Sequence, residues 1–303
     1  MINKNILISI VGPTAIGKTA LSIKLAQHFN AAIISADSRQ FYKEMAIGTA
    51  VPSLEEQRAA PHHFIQHISI QEDYNVGDFE RDAISKIEEL HQTNNTVVMV
   101  GGSGLYVKAV TNGLDYFPEV NPNIRTELNL LFENEGLNPL LEQLKKRDPK
   151  AYNTIAIDNP KRVIRALEIC IGTEQPYSSF LTDSNKQRPF KTIKIGLNAD
   201  RALIYDRINK RVDIMIANGL IDEAKAILPF KDLNALNTVG YKELFRYFNK
   251  ESSLEDAISE IKMNTRRFAK RQLTWFRKDQ DIKWFDYKSD AEDVISYIKT
   301  KCS

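Results

Sequence analysis

Ile6-Leu7-Ile8-Ser9-Ile10-Val11-Gly12-Pro13-Thr14-Ala15-Ile16-Gly17-Lys18-Thr19 is the stretch that decides the fold. Its first half is a short, continuous apolar run, as expected of a strand buried on both faces of a parallel sheet. Its second half fits G-x-x-x-x-G-K-[ST] in full. Glycines let the backbone wrap an anion, and the helix expected over Lys18–Phe29 turns its N-terminal N–H groups and partial positive charge towards it. Lys18 adds a full charge, and the Thr19 hydroxyl is of the kind that ligates Mg2+ between phosphate oxygens. Gly12, Pro13, Thr14, Ala15, Ile16, Gly17, Lys18 and Thr19 therefore read as a phosphate-binding loop.

The pattern continues outwards from this loop. Ala31–Ala36 reads as a second strand ending at Asp37, and Phe79, Ala83, Ile87 and Leu90 mark a helix over about 76–91. Val97–Val100 reads as a third strand, running into Gly101-Gly102-Ser103-Gly104, and Thr192–Leu197 as a fourth. Strands alternating with helices predict an α/β fold, a parallel sheet flanked by helices. Between Gly113 and Phe190 the texture changes, and seven of the eleven prolines fall there. Asn121-Pro122, Asn138-Pro139, Asp148-Pro149 and Asn159-Pro160 each suit an N-cap followed by the first helical position. We therefore expect an all-helical subdomain over 113–190, inserted into a core of 1–112 and 191–303. After Asp200 the chain reads as helical almost to its end. The longest such segment is Asp256–Lys278, with Ile261, Thr265, Phe268, Gln272 and Trp275 as its inward stripe and Trp275 and Trp284 in the core.

Composition narrows the function classes. Of the 303 residues, 43% are hydrophobic, enough for a sizeable core, and no apolar run approaches the length of a bilayer span. The start of the chain does not read as a secretion signal. Cys170 and Cys302 are the only cysteines, which excludes a disulfide framework and points to a reducing cytoplasm. A net charge of +2 excludes a polycation, but Lys262–Lys278 holds seven basic residues and no acid. Such a one-signed block suits either a solvated helix face or a polyanionic partner. Lys161, Arg162 and Arg165 open a helix after Asn159-Pro160, where cations are disfavoured. Arg201, Arg207, Lys210 and Arg211 form another cluster, in which Arg207 and Arg211 share a face and Asp213 is placed to orient Arg211. Together these suggest a phosphate-binding surface wider than the loop, with nucleic acid as the natural partner. His62, His63 and His67 lack an accompanying carboxylate or cysteine, so no metal site is expected of them.

The phosphate loop does not by itself choose a reaction. An NTPase shows an acidic residue at the end of a second strand, whereas the third strand here ends Val98-Met99-Val100-Gly101-Gly102. Asp37 lies past the second strand, at the end of the sheet that faces the same crevice as the loop. It suits a water-mediated Mg2+ contact or a general base. A small-molecule kinase and a non-catalytic RNA-binding module both stay open at this point.

Taken in order, seven segments resemble one family, the tRNA dimethylallyltransferases. They are GPTAIGKT at 12–19, SADSRQFYKEMAIGTAVP at 35–52, VGGSGLYVKA at 100–109, NPKRVIRALEI at 159–169, the Arg207/Arg211 helix, TVGYKE at 238–243 and TRRFAKRQLTWFR at 265–277. The resemblance implies transfer of a dimethylallyl group from dimethylallyl pyrophosphate to the N6 amine of the adenosine 3′ of the anticodon, in tRNAs reading codons that begin with U. It implies Asp37, Thr19 and Arg211 as catalytic residues, Mg2+ at Thr19, and the donor's pyrophosphate on Gly12–Thr19. It implies tRNA contacts from Asp37, Ser38, Arg39, Gln40, Ser103, Arg125, Lys161, Arg162, Val163, Ile164, Arg165, Asn237, Thr238, Val239, Gly240, Tyr241 and Lys242, with the helical insertion gripping the anticodon stem-loop. A bacterial-type, monomeric enzyme is expected, without the Cys/His zinc finger of eukaryotic members. Ala46 and Val51 depart from the family's usual Asp and Lys, and Asn237 from its Arg.

Overall fold

The computed structural model describes residues 5–182 and 187–302. By compactness the chain divides into one unit built from both its ends, up to Asn112 and again from Arg188, and a second unit over Gly113–Gln187. The first unit resumes three residues ahead of the expected boundary. Arg188 is tied there to Glu80 and to the Ala109 carbonyl, and Phe190 is buried.

The first unit is a six-stranded, wholly parallel sheet flanked by helices. Its elements run β1 (Ile6–Val11), α1 (Lys18–Phe29), β2 (Ile33–Ser35), α2 (Leu54–Ala59), β3 (His62–His63), α3 (Val76–Leu90), β4 (Thr96–Val100) and α4 (Gly104–Asn112). After the second unit come β5 (Lys191–Asn198), α9 (Arg201–Ala217), α10 (Leu220–Ala226), α11 (Tyr241–Phe248), α12 (Leu254–Phe276), β6 (Lys283–Asp286) and α13 (Ala291–Cys302), the intervening α5–α8 lying in that unit. The strand order is β3-β2-β4-β1-β5-β6. β1 is central, with Ile6 opposite Thr96 on one side and Lys191 on the other.

Side chains of a strand alternate between faces, and the core divides accordingly. Leu7, Val11, Ile34, Val97 and Met99 pack with α3 and the C-terminal helices, whereas Ile8, Ile10, Ile33, Val98 and Ile195 pack with α1, α9 and α13. Each such side chain, fully buried, contributes about 1.5–3 kcal/mol. Three loops leave the same carboxyl edge of this sheet: the phosphate loop after β1, Asp37 after β2 and Gly101–Ser103 after β4. Ligands of open α/β sheets bind along that edge.

The expectation of helix almost to the end needs one correction: β6 is a strand, paired with β5 from Lys283 to Asp286. Phe268 and Trp275 are also not core residues, being 38% and 41% exposed; the buried side of α12 is Ala257, Ile261, Ala269, Gln272 and Phe276.

The second unit is all-helical: α5 (Pro122–Glu135), α6 (Asn138–Arg147), α7 (Pro149–Thr154) and α8 (Pro160–Thr173) around Leu128, Leu140, Leu144, Val163 and Leu167. Asn121, Asp148 and Asn159 cap α5, α7 and α8 through their side chains, each followed by Pro at the first helical position. Asn138 does not cap: it is the first residue inside α6, and Leu137 at the cap position offers no side-chain acceptor.

Candidate functional site

The phosphate loop is built from backbone geometry that most residues resist. Gly12 has φ 142° and lies so close to β5 that a Cβ would stand 2.6 Å from the Leu197 carbonyl oxygen. Gly17, at φ 108°, opens α1 with no side-chain cap, so the first N–H groups of that helix stay available to an anion. Ala15 holds φ 62°, a conformation costly for a residue with a Cβ, and the Arg207 guanidinium fixes it by donating to its carbonyl at 2.7 Å. Lys18 Nζ donates to the Gly12 and Pro13 carbonyls at 3.0 and 2.8 Å. Burial brings its pKa down to about 8; Asp37 pulls it up and Arg211 pushes it further down.

Arg211 reaches the loop from α9, donating to the Thr14 hydroxyl at 3.2 Å. Burial lowers its pKa and Asp37 opposes that shift. The expected partner of Arg211 is corrected: Asp213 pairs instead with Lys262, and Lys210 pairs with Asp206. Residues two apart on a helix point to different sides.

Gln272 ties the loop to its surroundings. Only 5% exposed, it accepts from the Thr14 backbone N–H at 2.9 Å and donates to the Gly102 carbonyl at 3.0 Å. One amide thus joins the phosphate loop to the turn after β4. That turn is joined in its own right to the segment after β2, because Ser103 Oγ accepts from the Ser38 N–H at 3.1 Å and lies 3.2 Å from the Ser38 hydroxyl. Asp37 Oδ1 accepts from the Arg39 N–H at 3.2 Å. The Arg39 guanidinium is held by the Asn234 and Ala235 carbonyls, and Gln40 bridges the Ser35 hydroxyl to the Thr49 and Ala50 carbonyls.

Two cavities meet here. The smaller, about 500 Å3, contains the phosphate loop, Lys18, Thr19, Arg207 and Arg211. The larger, about 940 Å3, is walled by Ser38, Arg39, Ser103, the segment Asn237–Gly240 with Lys242, and the face of α12 that carries Thr265, Phe268, Arg271 and Trp275. Thr14, Asp37, Thr49, Arg211 and Gln272 line both. The two cavities therefore share one wall, and the Asp37 carboxylate is in it.

One residue that supports the larger wall from behind has no local signal in the sequence. Glu223 accepts from the backbone N–H groups of Ala46, Ile47 and Gly48 at 2.9, 2.7 and 2.9 Å, and from the Tyr241 hydroxyl at 2.7 Å. Burial, then Glu223, raises the Tyr241 pKa, which keeps the phenol a donor. Glu223 thereby pins two cavity-lining segments, 46–50 and 237–242, to each other. Tyr241 itself is fully buried and packs on Gly48, where a Cβ would clash with its ring at 2.6 Å. The expected tRNA contact of the Tyr241 side chain is corrected to a structural role.

In the second unit, Val163 and Ile164 are buried in the helical core, so their side chains also make no surface contact. Lys161 and Arg162 are exposed, whereas Arg125 and Arg165 converge on buried Glu168 at 2.7 and 2.8 Å while staying partly open to solvent.

Among the described residues no group of three His, Cys, Asp or Glu could hold a metal ion. A divalent ion at this site would take most of its oxygens from a phosphorylated ligand. Mg2+ suits that arrangement, needing few protein oxygens, and Thr19 and Asp37 line the cavity where it would stand.

The family model described as IPP transferase matches residues 40–279. The chain belongs to the IPP transferase family. The tRNA dimethylallyltransferase of Christiangramia forsetii is 62% identical over 98% of both chains, and that of Flavobacterium johnsoniae is 57% identical over 96% of both. Among solved structures, the full-length tRNA isopentenylpyrophosphate transferase of Bacillus halodurans is 39% identical over 98% of this chain and 96% of its own, with a TM-score of 0.74. A eukaryotic dimethylallyltransferase described as acting on tRNA is 26% identical over 98% of this chain and 80% of its own, with a TM-score of 0.84. The family model begins at Gln40, past the phosphate loop and Asp37; the relatives span those residues too. No helix among the described residues is long and apolar enough to cross a membrane.

Proposed function

We propose that the protein is a tRNA prenyltransferase, which moves a dimethylallyl group from dimethylallyl pyrophosphate to the N6 amine of the adenosine 3′ of the anticodon in tRNAs reading codons that begin with U. The observation that carries this reading is the shared wall. A pyrophosphate cavity and an acceptor cavity meet at Asp37, Thr14 and Arg211, the arrangement that transfer between a phosphorylated donor and a large acceptor requires. The relatives' names supply the donor group and the acceptor class.

The residues support a direct displacement. The adenine amine is a weak nucleophile, its lone pair delocalised into the ring. It attacks the carbon bearing the pyrophosphate; the C–N bond forms as the C–O bond breaks, and Asp37 accepts the N–H proton. Negative charge grows on the departing pyrophosphate, and the α1 N-terminus, Lys18 and Arg211, which border the same cavity, stabilise it. Lys18 exchanges its two carbonyl bonds for phosphate oxygens. A Mg2+ ion, held by those oxygens and Thr19, would supply further charge neutralisation. The acceptor adenosine leaves its stack to reach a carboxylate inside a cavity, as bases do in other base-modifying enzymes. The all-helical unit, with Lys161 and Arg162 exposed, serves the anticodon stem-loop. The enzyme works as a cytoplasmic monomer.

The test is one incubation of the protein with Mg2+, unmodified tRNA and labelled dimethylallyl pyrophosphate, beside a tube with labelled ATP. Label on the expected adenosine, absent with Asp37→Ala, supports the reading. Phosphate released or transferred from ATP, with no prenyl transfer, overturns it in favour of a kinase.

A further inference from the structure

Three of the cations lining the phosphate cavity hydrogen-bond to neutral groups. Lys18 is held by the Gly12 and Pro13 carbonyls, Arg211 by the Thr14 hydroxyl and Arg207 by the Ala15 carbonyl. Arg207 is the least secured of the three. Arg211 stands one turn further along α9 with a like charge, and the bond from Arg207 braces a residue at φ 62°. A guanidinium has five N–H donors on a long flexible stem, so one bond to a carbonyl does not fix it. The second contact is a ring: the Arg207 guanidinium carbon lies 5.6 Å from the Tyr287 centroid. Tyr287 follows β6, and its backbone N–H donates to the Asn198 carbonyl at 2.8 Å, carrying the β5–β6 pairing one residue further. Asp286 closes the turn behind it, accepting from the Lys288 N–H at 2.9 Å. The ring itself packs on the core that holds Ile8, Ile10 and Ile195. Arg207 lines the phosphate cavity, whereas Tyr287 stands outside it.

We propose that Tyr287 is a positioning residue for the pyrophosphate donor. Its ring holds the Arg207 guanidinium on the Ala15 carbonyl, and through that bond keeps the phosphate loop in its anion-binding shape. This rests on the donor reading above. The chemistry of the site favours a ring over an acid. A carboxylate would also fix Arg207, but it would draw the N–H groups away from Ala15 and cancel a charge that the anion needs. An aromatic face attracts the guanidinium from the side. The N–H edge is left to the carbonyl, and the charge is left to the cavity. Without the ring Arg207 swings away, and Ala15 loses the bond that offsets its costly backbone. Tyr287 acts on the loop before the donor arrives. A saturating donor, bonded to the same loop N–H groups, restores the shape. The effect therefore falls on donor affinity and spares turnover.

The test is a double-mutant cycle on Y287A and R207A. It is read first by calorimetry with inorganic pyrophosphate and Mg2+, then by steady-state transfer. Y287A should raise the pyrophosphate Kd and the donor KM about fivefold, with kcat and KM for tRNA near wild type. Y287F keeps the ring and should match wild type. Y287L keeps an apolar side chain without the ring face and should lose as much as Y287A, with most of the melting temperature retained. In the R207A background, Y287A should add nothing. An unaltered Kd in Y287A, a loss that persists in the R207A background, Y287L equal to wild type, or equal falls in kcat and donor affinity would overturn the proposal. Pyrophosphate binding keeps this apart from the parent reading. If the cycle shows coupling but wild type transfers no prenyl group, the proposed function fails and the positioning role stands. If wild type transfers prenyl and the cycle shows no coupling, the positioning role alone fails. Wild type that binds no pyrophosphate overturns both.

Discussion

Gln272→Met tests how the phosphate loop is held. The substitution nearly conserves volume and deletes two hydrogen bonds, from Thr14 N–H at 2.9 Å and to the Gly102 carbonyl at 3.0 Å. An unsatisfied buried polar group costs about 1–3 kcal/mol. Thr14 borders both cavities, so water can reach its N–H and its share falls at the low end. The Gly102 bond is buried, and its share is larger. The sum is about 3 kcal/mol, which for a unit of this size lowers the melting temperature by roughly 6–12 °C. The kinetic effect follows from position, since a loop displaced by about 1 Å can cost on the order of 100-fold. The variant is melted with and without pyrophosphate, and transfer is timed with saturating tRNA. An unshifted melting curve, or normal kcat and donor KM, refutes the claim that this amide sets the loop.

Other outcomes follow from the same geometry. Asp37→Asn should lower kcat by about 100-fold or more while donor binding, measured by calorimetry, stays near wild type; weakened donor binding with normal turnover would reverse its role. Lys18 has its folded pKa lowered to about 8, so its charge, and the donor affinity it gives, is present below that pH and is lost as pH rises through it. The profile of kcat/KM for the donor should therefore fall on an alkaline limb near pH 8, and a flat profile to about pH 9.5 contradicts this. Glu223→Gln leaves one oxygen for four donors. It should raise KM for tRNA about tenfold, the loss of one charge-assisted hydrogen bond, without changing donor KM; equal changes in both would mean that Glu223 supports the whole unit and not the acceptor wall.

Much of this was legible because it rests on periodicity or on local backbone chemistry. The apolar run before Gly12, the glycines after it and the repeat in Val76–Leu90 are local facts, and α1 spans Lys18–Phe29 as expected. β6 was not legible, and β3 shows in the sequence only as a strand-like run through Phe64, Ile65, Ile68 and Ile70, just past its two residues. They are the two edges of the sheet, two and four residues long, half-exposed, and lack the apolar run that marks a buried strand. Phe268 and Trp275 misled for a different reason: helical spacing marks a face, and a cavity wall and a core share that spacing. Glu223 was missed because its amide partners lie some 175 positions away, and no local pattern encodes such a pair. Gln272 did carry a signal, a lone polar residue on an otherwise buried stripe. The Arg211–Asp213 pairing failed on helix geometry the sequence already contained.

The central place of β1 bears on how the chain is made. Its inner partner, β4, leaves the ribosome early, but β5 begins only at Lys191, after the whole of Gly113–Gln187. At about 5–20 residues per second, β1 waits for roughly ten seconds as an open edge of a half-finished sheet. Such an edge is a template for pairing with another chain. Meanwhile the helical unit, contiguous in sequence and built on local contacts, completes itself during the delay. Slowed translation across 113–187 would lengthen the exposure of β1 and raise aggregation of nascent chains, with every residue of the finished protein unchanged.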